Sequence, residues 1–281
     1  MKDKNLIIKK VKNQIEKLDD YSFREEELLC MMTLNISREE LYKKEFFTQN
    51  ECDKISKVLS RRLENEPLNK IFKKQNFFGV DFFINNNVLA PRVETEILTE
   101  MALKAIKFDG EKVLDLCCGS GCVGLSLAKF SNKKVEVFLS DVDDKALFVA
   151  RKNRKLLKLD EVKIIKSDLF DRLKKFGKFD IIVCNPPYIK TDDIKNLSKG
   201  VKNFDPHQAL DGGEDGLEFY KKIAERVEEF LSKNGKIFLE IGFDEKNSVQ
   251  EIFIKKGFVT KCFKDYSGFD RVVEIKRGNN D

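Results

Sequence analysis

From Lys112 onward, short apolar runs alternate with stretches of helical spacing, and few folds accept that pattern. The runs are Lys112–Cys117, Val135–Ser140, Val162–Lys166, Phe179–Cys184, Lys236–Ile241, Phe258–Phe263 and Arg271–Lys276. Strands that read as near-continuous β-branched or apolar segments are buried on both faces, and the helices between them are the crossovers a parallel sheet requires. The expectation is an α/β fold with a mostly parallel sheet covered on both sides. No helical pattern separates the last two runs, so they form a hairpin and the final strand runs antiparallel.

Open α/β sheets bind ligands outside the carboxyl ends of their strands. Residues 113–124, Val-Leu-Asp-Leu-Cys-Cys-Gly-Ser-Gly-Cys-Val-Gly, read as a strand, a turn and a helix start, with Gly119, Gly121 and Gly124 in G-x-G-x-x-G spacing. Alone such a match is weak, because glycines also make ordinary turns. Here a strand precedes it, a helix follows, and Asp141 ends the next strand where a carboxylate can bind ribose hydroxyls, so the stretch points to a nucleoside cofactor. NAD and S-adenosylmethionine are the candidates. Asp115, on the strand just before the loop, repels a pyrophosphate but welcomes an ammonium, which favours the second. Ser167-Asp168-Leu169-Phe170 ends the third run at the same edge. Asp168 can accept an adenine amino group and Leu169 can pack on the ring; the alternative is a solvated acidic loop.

The fourth run stops at Asn185-Pro186-Pro187-Tyr188. Pro187 has a fixed φ and Pro186, preceding a proline, is extended, so their carbonyls point in set directions. Asn185 Oδ1 and the Pro186 carbonyl can each accept one N–H of a planar –NH₂ group while Tyr188 stacks on its plane, turning the nitrogen lone pair toward an electrophile. Such an edge has no part in hydride transfer, a second argument against NAD. The competing reading is a turn that merely ends a strand.

With 281 residues, 41% hydrophobic and 36% charged, the chain suffices for one large domain and a small one. No apolar run approaches the ~20 residues of a membrane span, and Met1-Lys2-Asp3-Lys4-Asn5 lacks a signal core, so a soluble, cytoplasmic protein is expected. Seven cysteines without C-x-x-C spacing read as reduced thiols. The net charge of +5 is spread among acidic residues and gives no basic block for nucleic acid. His207 is the sole histidine, which argues against a metal site or a histidine triad.

From about Leu6 to Phe72 the spacing is helical, and Ser37-Arg38-Glu39-Glu40 is a capping box that starts one helix. The aromatic stretch Phe77–Ile84 is strand-like and precedes the turn-prone Asn85-Asn86-Asn87, which places a β-hairpin linker. Arg92 and its acidic neighbours Glu94 and Glu96 either dress a helix start or line the active site.

Taken together, these motifs resemble the release factor glutamine methyltransferases, the PrmC/HemK family. The resemblance runs through Glu66-Pro67-Leu68, Phe77-Phe78-Gly79, residues 90–96, the loop from Asp115 to Gly121, Ser167–Phe170 and Asn185–Tyr188. It continues through Asp205-Pro206, residues 209–217, Leu239-Glu240-Ile241-Gly242 and residues 265–271. It implies a helical substrate-binding domain at 1–74, a hairpin linker at 75–92 and a seven-stranded, Rossmann-like class I methyltransferase domain at 93–281. S-adenosylmethionine is the implied cofactor, bound by Asp115, Cys117, Cys118, Gly119, Ser120, Gly121, Asp141, Asp168, Leu169 and Asn185. Asn185, Pro186, Pro187 and Tyr188 are the implied catalytic and substrate-binding residues. The implied partner is a class I peptide chain release factor, methylated on the glutamine side chain of its Gly-Gly-Gln loop by a monomer that touches neither membrane nor nucleic acid. The chain departs from the family pattern at Cys117-Cys118 (usually glycine-threonine), Ala90 (commonly isoleucine), Leu169 (an aromatic in some members) and Asp244-Glu245 (usually a glutamine). Asn-Pro-Pro-Tyr alone is shared with adenine methyltransferases of DNA and RNA, which stand as the rival reading; a cofactor-binding module without catalysis is a third.

Overall fold

In the computed structural model, which describes residues 1–278, the chain divides into two units, residues 1–73 with 196–205 and residues 74–195 with the chain from 206 on. The first is helical because its apolar residues recur at helical spacing and its polar ones cap. A two-residue strand β1 (Lys2–Asp3) leads into α1 (Lys4–Ile15), where Asp3 accepts the Leu6 N–H. α2 (Glu25–Leu34) follows, then α3 (Arg38–Lys43), which starts at the capping box of Ser37 and Glu40 read from the sequence. β2 (Phe46–Phe47) pairs antiparallel with β1, a short ladder the helical spacing did not announce. α4 (Gln49–Leu63) has a second capping box, Thr48 with Glu51, and α5 (Leu68–Phe72) follows Pro67. Val11, Ile15, Leu29, Leu41, Phe47 and Ile55 form the core. Not every charge in this unit is solvated: Arg62 is buried between Glu25 and Asp20, and Lys70 is buried against Asp205 at 2.7 Å.

The second unit opens with the hairpin β3 (Lys74–Phe77) and β4 (Val80–Phe83). Its turn is Phe78-Gly79, with φ of +50° and +74°, rather than Asn85–Asn87. Two consecutive positive φ values twist a two-residue turn to match paired strands, which the aromatic run concealed. Phe77, Val80 and Phe82 pack into the core of this unit, so the hairpin is a folded layer of it. A 3-10 turn, Val93–Thr95, leads into α6 (Glu96–Ala105).

Then come β5 (Lys112–Leu116), α7 (Cys122–Phe130), β6 (Glu136–Asp141), α8 (Asp144–Leu157), β7 (Lys163–Lys166) and β8 (Phe179–Cys184). The chain passes through α9 (Lys199–Phe204), which belongs to the first unit, and continues with α10 (Glu218–Phe230), β9 (Leu231–Glu240), α11 (Lys246–Ile254), β10 (Phe258–Lys264) and β11 (Asp270–Arg277). The sheet order is β10-β11-β9-β8-β5-β6-β7. β9, β8, β5, β6 and β7 pair in parallel; β11 runs antiparallel between β9 and β10, as the missing helix implied. Successive strand residues face opposite layers. Leu114, Ile182 and Ile237 meet α10 and α11 on one face, whereas Val113, Val183 and Phe238 meet α6 and α7 on the other.

Candidate active site

The chain winds outward from β5 through β6 and β7, then returns to place β8 on the other flank of β5. This reversal is the switch point at which open sheets leave a crevice. The loop after β5 and the tetrad after β8 are its two lips. Cys117 turns the first with φ +54°, a left-handed conformation that glycine holds without strain. Gly124 lets α7 press onto the sheet: a Cβ there would lie 2.2 Å from Leu139 Cδ2 and 3.0 Å from Asp115 Oδ2. Its N–H donates to Asp115 Oδ2 at 2.8 Å. Asp141 accepts the Gly119 N–H at 2.9 Å and the Asp143 N–H at 3.0 Å, so one carboxylate ties the loop to the end of β6.

Between the lips lies an open-mouthed cleft with about 890 Å³ of space, the solvent at its mouth included. Asp115, Cys117, Cys118, Gly119, Ser120, Asp141, Asn185 and Pro187 all line it, joining the predicted cofactor loop to the tetrad. Apolar walls come from Leu89, Val142 and Ala146, and Arg92 and Thr95 line the cleft too, so the segment around Arg92 belongs to the site. Burial pushes the Asp115 carboxyl up to about 7, opposed by its hydrogen bond from Gly124 and aided by the nearby Asp141. Burial raises Asp141 as well. A cleft that holds two carboxylates at this cost suits a cationic ligand.

The tetrad is fixed from behind. Asn185 Nδ2 donates to Thr95 Oγ1 at 3.2 Å. Glu240, at the end of neighbouring β9, lies beside the side chains of both Thr95 and Asn185, and each favours its ionised form. That carboxyl is 1% exposed, and burial pushes it up to about 7, opposed by Thr95, Asn185 and the attraction of Arg271. Beyond the tetrad, Ile189 donates to the Leu210 carbonyl at 3.0 Å and accepts from Gly212 at 2.8 Å. A Cβ on Gly212 would lie 2.7 Å from Tyr188 Cα, so only glycine lets the 209–217 loop back the tetrad this closely. The Tyr188 hydroxyl is driven upward in pKa by burial, and its ring packs on the core around α10.

Five predicted site residues do not line the cleft. Gly121 caps α7 against Leu139 and Ala150, and Pro186 is buried under the lip. Tyr188 is half-buried on the core. Leu169, at a positive φ of +41°, is 8% exposed in the core cluster with Phe170. Asp168 is exposed beside it, toward Lys222. Conversely, Thr95 and Glu240 received no role from the sequence, although a carboxylate ending the apolar run Ile237-Phe238-Leu239 was a signal.

The Methyltransferase small domain family matches residues 92–200, from the cleft wall through both lips. The release factor glutamine methyltransferase of Clostridium acetobutylicum is 39% identical over 284 residues, covering 99% of this chain and 99% of that protein. The enzyme of the same name from Thermodesulfovibrio yellowstonii is 37% identical over 265 residues, covering 92% of this chain and 94% of its own. A methyltransferase structure from Pyrococcus furiosus, 27% identical, superposes with a TM-score of 0.53 over 78% of this chain and 97% of that one. Likeness that extends almost end to end, around a cleft where a cofactor loop meets an Asn-Pro-Pro-Tyr edge, shows that the chain belongs to the release factor glutamine methyltransferase family.

Proposed function

We propose that this protein transfers a methyl group from S-adenosylmethionine to the side-chain amide nitrogen of the glutamine in the Gly-Gly-Gln motif of class I peptide chain release factors. The observation that carries this reading is that Asn185 and the carboxylates Asp115 and Asp141 line one cleft at the switch point of the sheet. The bound cofactor supplies a methyl made electrophilic by its sulfonium. Asp115 matches the cofactor's ammonium, since an arriving cation lets a buried carboxyl ionise; Asp141 remains the acceptor for ribose hydroxyls.

A primary amide is a poor nucleophile because its lone pair is delocalised into the carbonyl. The protein's share of the work is therefore to align the nitrogen and to stabilise the positive charge that develops on it. Asn185, which lines the cleft, offers its carboxamide oxygen as the acceptor for that nitrogen. Every residue lining the cleft belongs to the second unit, which leaves the helical unit for holding the body of the release factor. We infer a cytoplasmic monomer without nucleic-acid contact; no helix among the described residues is long and apolar enough to cross a membrane.

Labelled cofactor offered with release factor, duplex DNA and RNA in parallel tests the reading. Label is expected in release factor alone; label confined to nucleic acid would make this an adenine methyltransferase. The helical unit has its own test. If it holds the release factor, the intact factor should exceed a short Gly-Gly-Gln peptide in kcat/KM by roughly 10² or more, because remote binding energy is used in catalysis. Equal values would leave that unit without a substrate role.

A further inference from the structure

We propose that Glu240 is a positioning residue for methyl transfer: together with Thr95 it holds the amide of Asn185 with its nitrogen inward, so that the oxygen is the atom presented to the substrate. The proposal rests on the catalytic reading of Asn185 given above. The strand register brings the two side chains together. β8 and β9 pair in parallel with Val183 opposite Phe238 and Cys184 opposite Leu239, so the next residues in step are Asn185 and Glu240. Alternation puts Glu240 on the face of Phe238, the α6 side of the sheet, where Thr95 sits just before α6.

One hydrogen bond and one buried carboxyl favour the amide facing with its nitrogen inward. Thr95 Oγ1 accepts from Asn185 Nδ2 at 3.2 Å, and the buried Glu240 carboxyl lies beside both side chains, close enough for each to favour its ionised form. The field of that carboxyl favours the N–H end of the amide on its side, since a carboxylate has only acceptor sites. A flipped amide would aim two N–H donors at a substrate –NH₂ that itself needs acceptors, and the site would repel what it must bind. Asparagine cannot prevent that flip by shape, because its two ends are nearly isosteric. The acceptors behind it do.

The environment of Glu240 shows what is given up to keep a carboxyl there. Its Oε2 is buried without a hydrogen-bond partner. Arg271 of β11 attracts it and Glu94 opposes it, and it adds to the fields at Tyr188, Tyr220 and Cys122. Arg271 is already engaged by Asp265 at 3.2 Å and by the Ile241 carbonyl at 3.1 Å, so it is no dedicated counter-ion. A leucine would fill this place without an orphaned oxygen, but it would not hold Asn185.

A double-mutant cycle on single-turnover methylation of release factor, with cofactor affinity measured for each variant, tests the assignment. Glu240→Leu is expected to slow transfer by roughly 10²-fold, the effect of a misplaced reacting group, with cofactor affinity unchanged. In an Asn185→Ala background the same change should cost nothing further. Glu240→Gln, whose carbonyl can still accept, should recover tenfold or more of the rate. If Glu240→Leu fails to fold, Thr95→Val enters the same cycle and should be equally silent once Asn185 is gone. Equal losses in both backgrounds, or a glutamine variant no faster than the leucine one, would overturn the positioning role. An Asn185→Ala enzyme at full rate would instead remove the catalytic reading on which it rests.

Discussion

At the scale of single residues, the account assigns separable roles to Asp115 and Asn185. Asp115 is held near 7 by burial, so below that pH the free protein keeps on it a proton that must leave before it can face an ammonium. Cofactor affinity should therefore rise as pH rises through about 7, and binding below that pH should release a proton. Calorimetry at about pH 6 in buffers of different ionisation enthalpy reads this directly, and Asp115→Asn should abolish both effects; affinity flat across this range would remove Asp115 from the site. Asn185→Ala removes an acceptor aimed at the reacting nitrogen and should lower turnover by roughly 10²–10³, by analogy with loss of one oxyanion-hole donor. Tyr188→Phe should cost far less, because the ring, packed on the core, matters more than its hydroxyl. A folded, cofactor-binding Asn185→Ala enzyme with near-normal turnover would reduce the tetrad to a strand-ending turn.

The elements of the sheet domain were legible because each strand is an apolar run whose ends carry polar residues. Phe179–Cys184 stands where it was read, and the other runs shift by a residue or so at their ends. β9 is the exception: it starts at Leu231, five residues before the predicted Lys236, because Leu231 pairs with Phe179 across the polar stretch Ser232–Gly235. Pairing, which the sequence hides, outvoted local polarity. The same limit applied at the site. The lips of the cleft could be read from Gly119, Asp141 and Asn185, whereas Leu169 could not be assigned to core or ligand without its backbone conformation. Nor could Glu240 be joined to Asn185 without the β8–β9 register. At this scale the 209–217 loop gives a prediction. Gly212→Ala would set a Cβ 2.7 Å from Tyr188 Cα and 2.8 Å from its carbonyl carbon, so the tetrad must shift. Turnover should fall by roughly tenfold to a hundredfold while cofactor affinity holds, as expected for misplacement near an ångström. A Gly212→Ala enzyme with wild-type turnover would mean that the loop does not position the tetrad.

For the molecule as a whole, the division of labour depends on the helical unit being built correctly, and residues 196–205 are part of it despite following β8 in the chain. The sequence could not show this, since α9 looks like another crossover helix until its partners are known. Lys70 and Asp205, with side chains 1% and 4% exposed, join that segment to α5. Asp205→Ala should destabilise the protein by about 3–5 kcal/mol in urea unfolding, because it strips a buried ammonium of this carboxylate, whereas replacing both residues by apolar ones should restore much of the loss. A loss below about 1 kcal/mol would mark the pair as solvent-screened. The central claim, that the assembled molecule methylates one glutamine amide, meets its most direct test in peptide mapping by mass spectrometry of release factor incubated with the enzyme and S-adenosylmethionine. The account predicts a single added methyl on the glutamine side chain of Gly-Gly-Gln, and none with Asn185→Ala in a single short turnover. A release factor left unmodified, or methylated at any other residue, would contradict it.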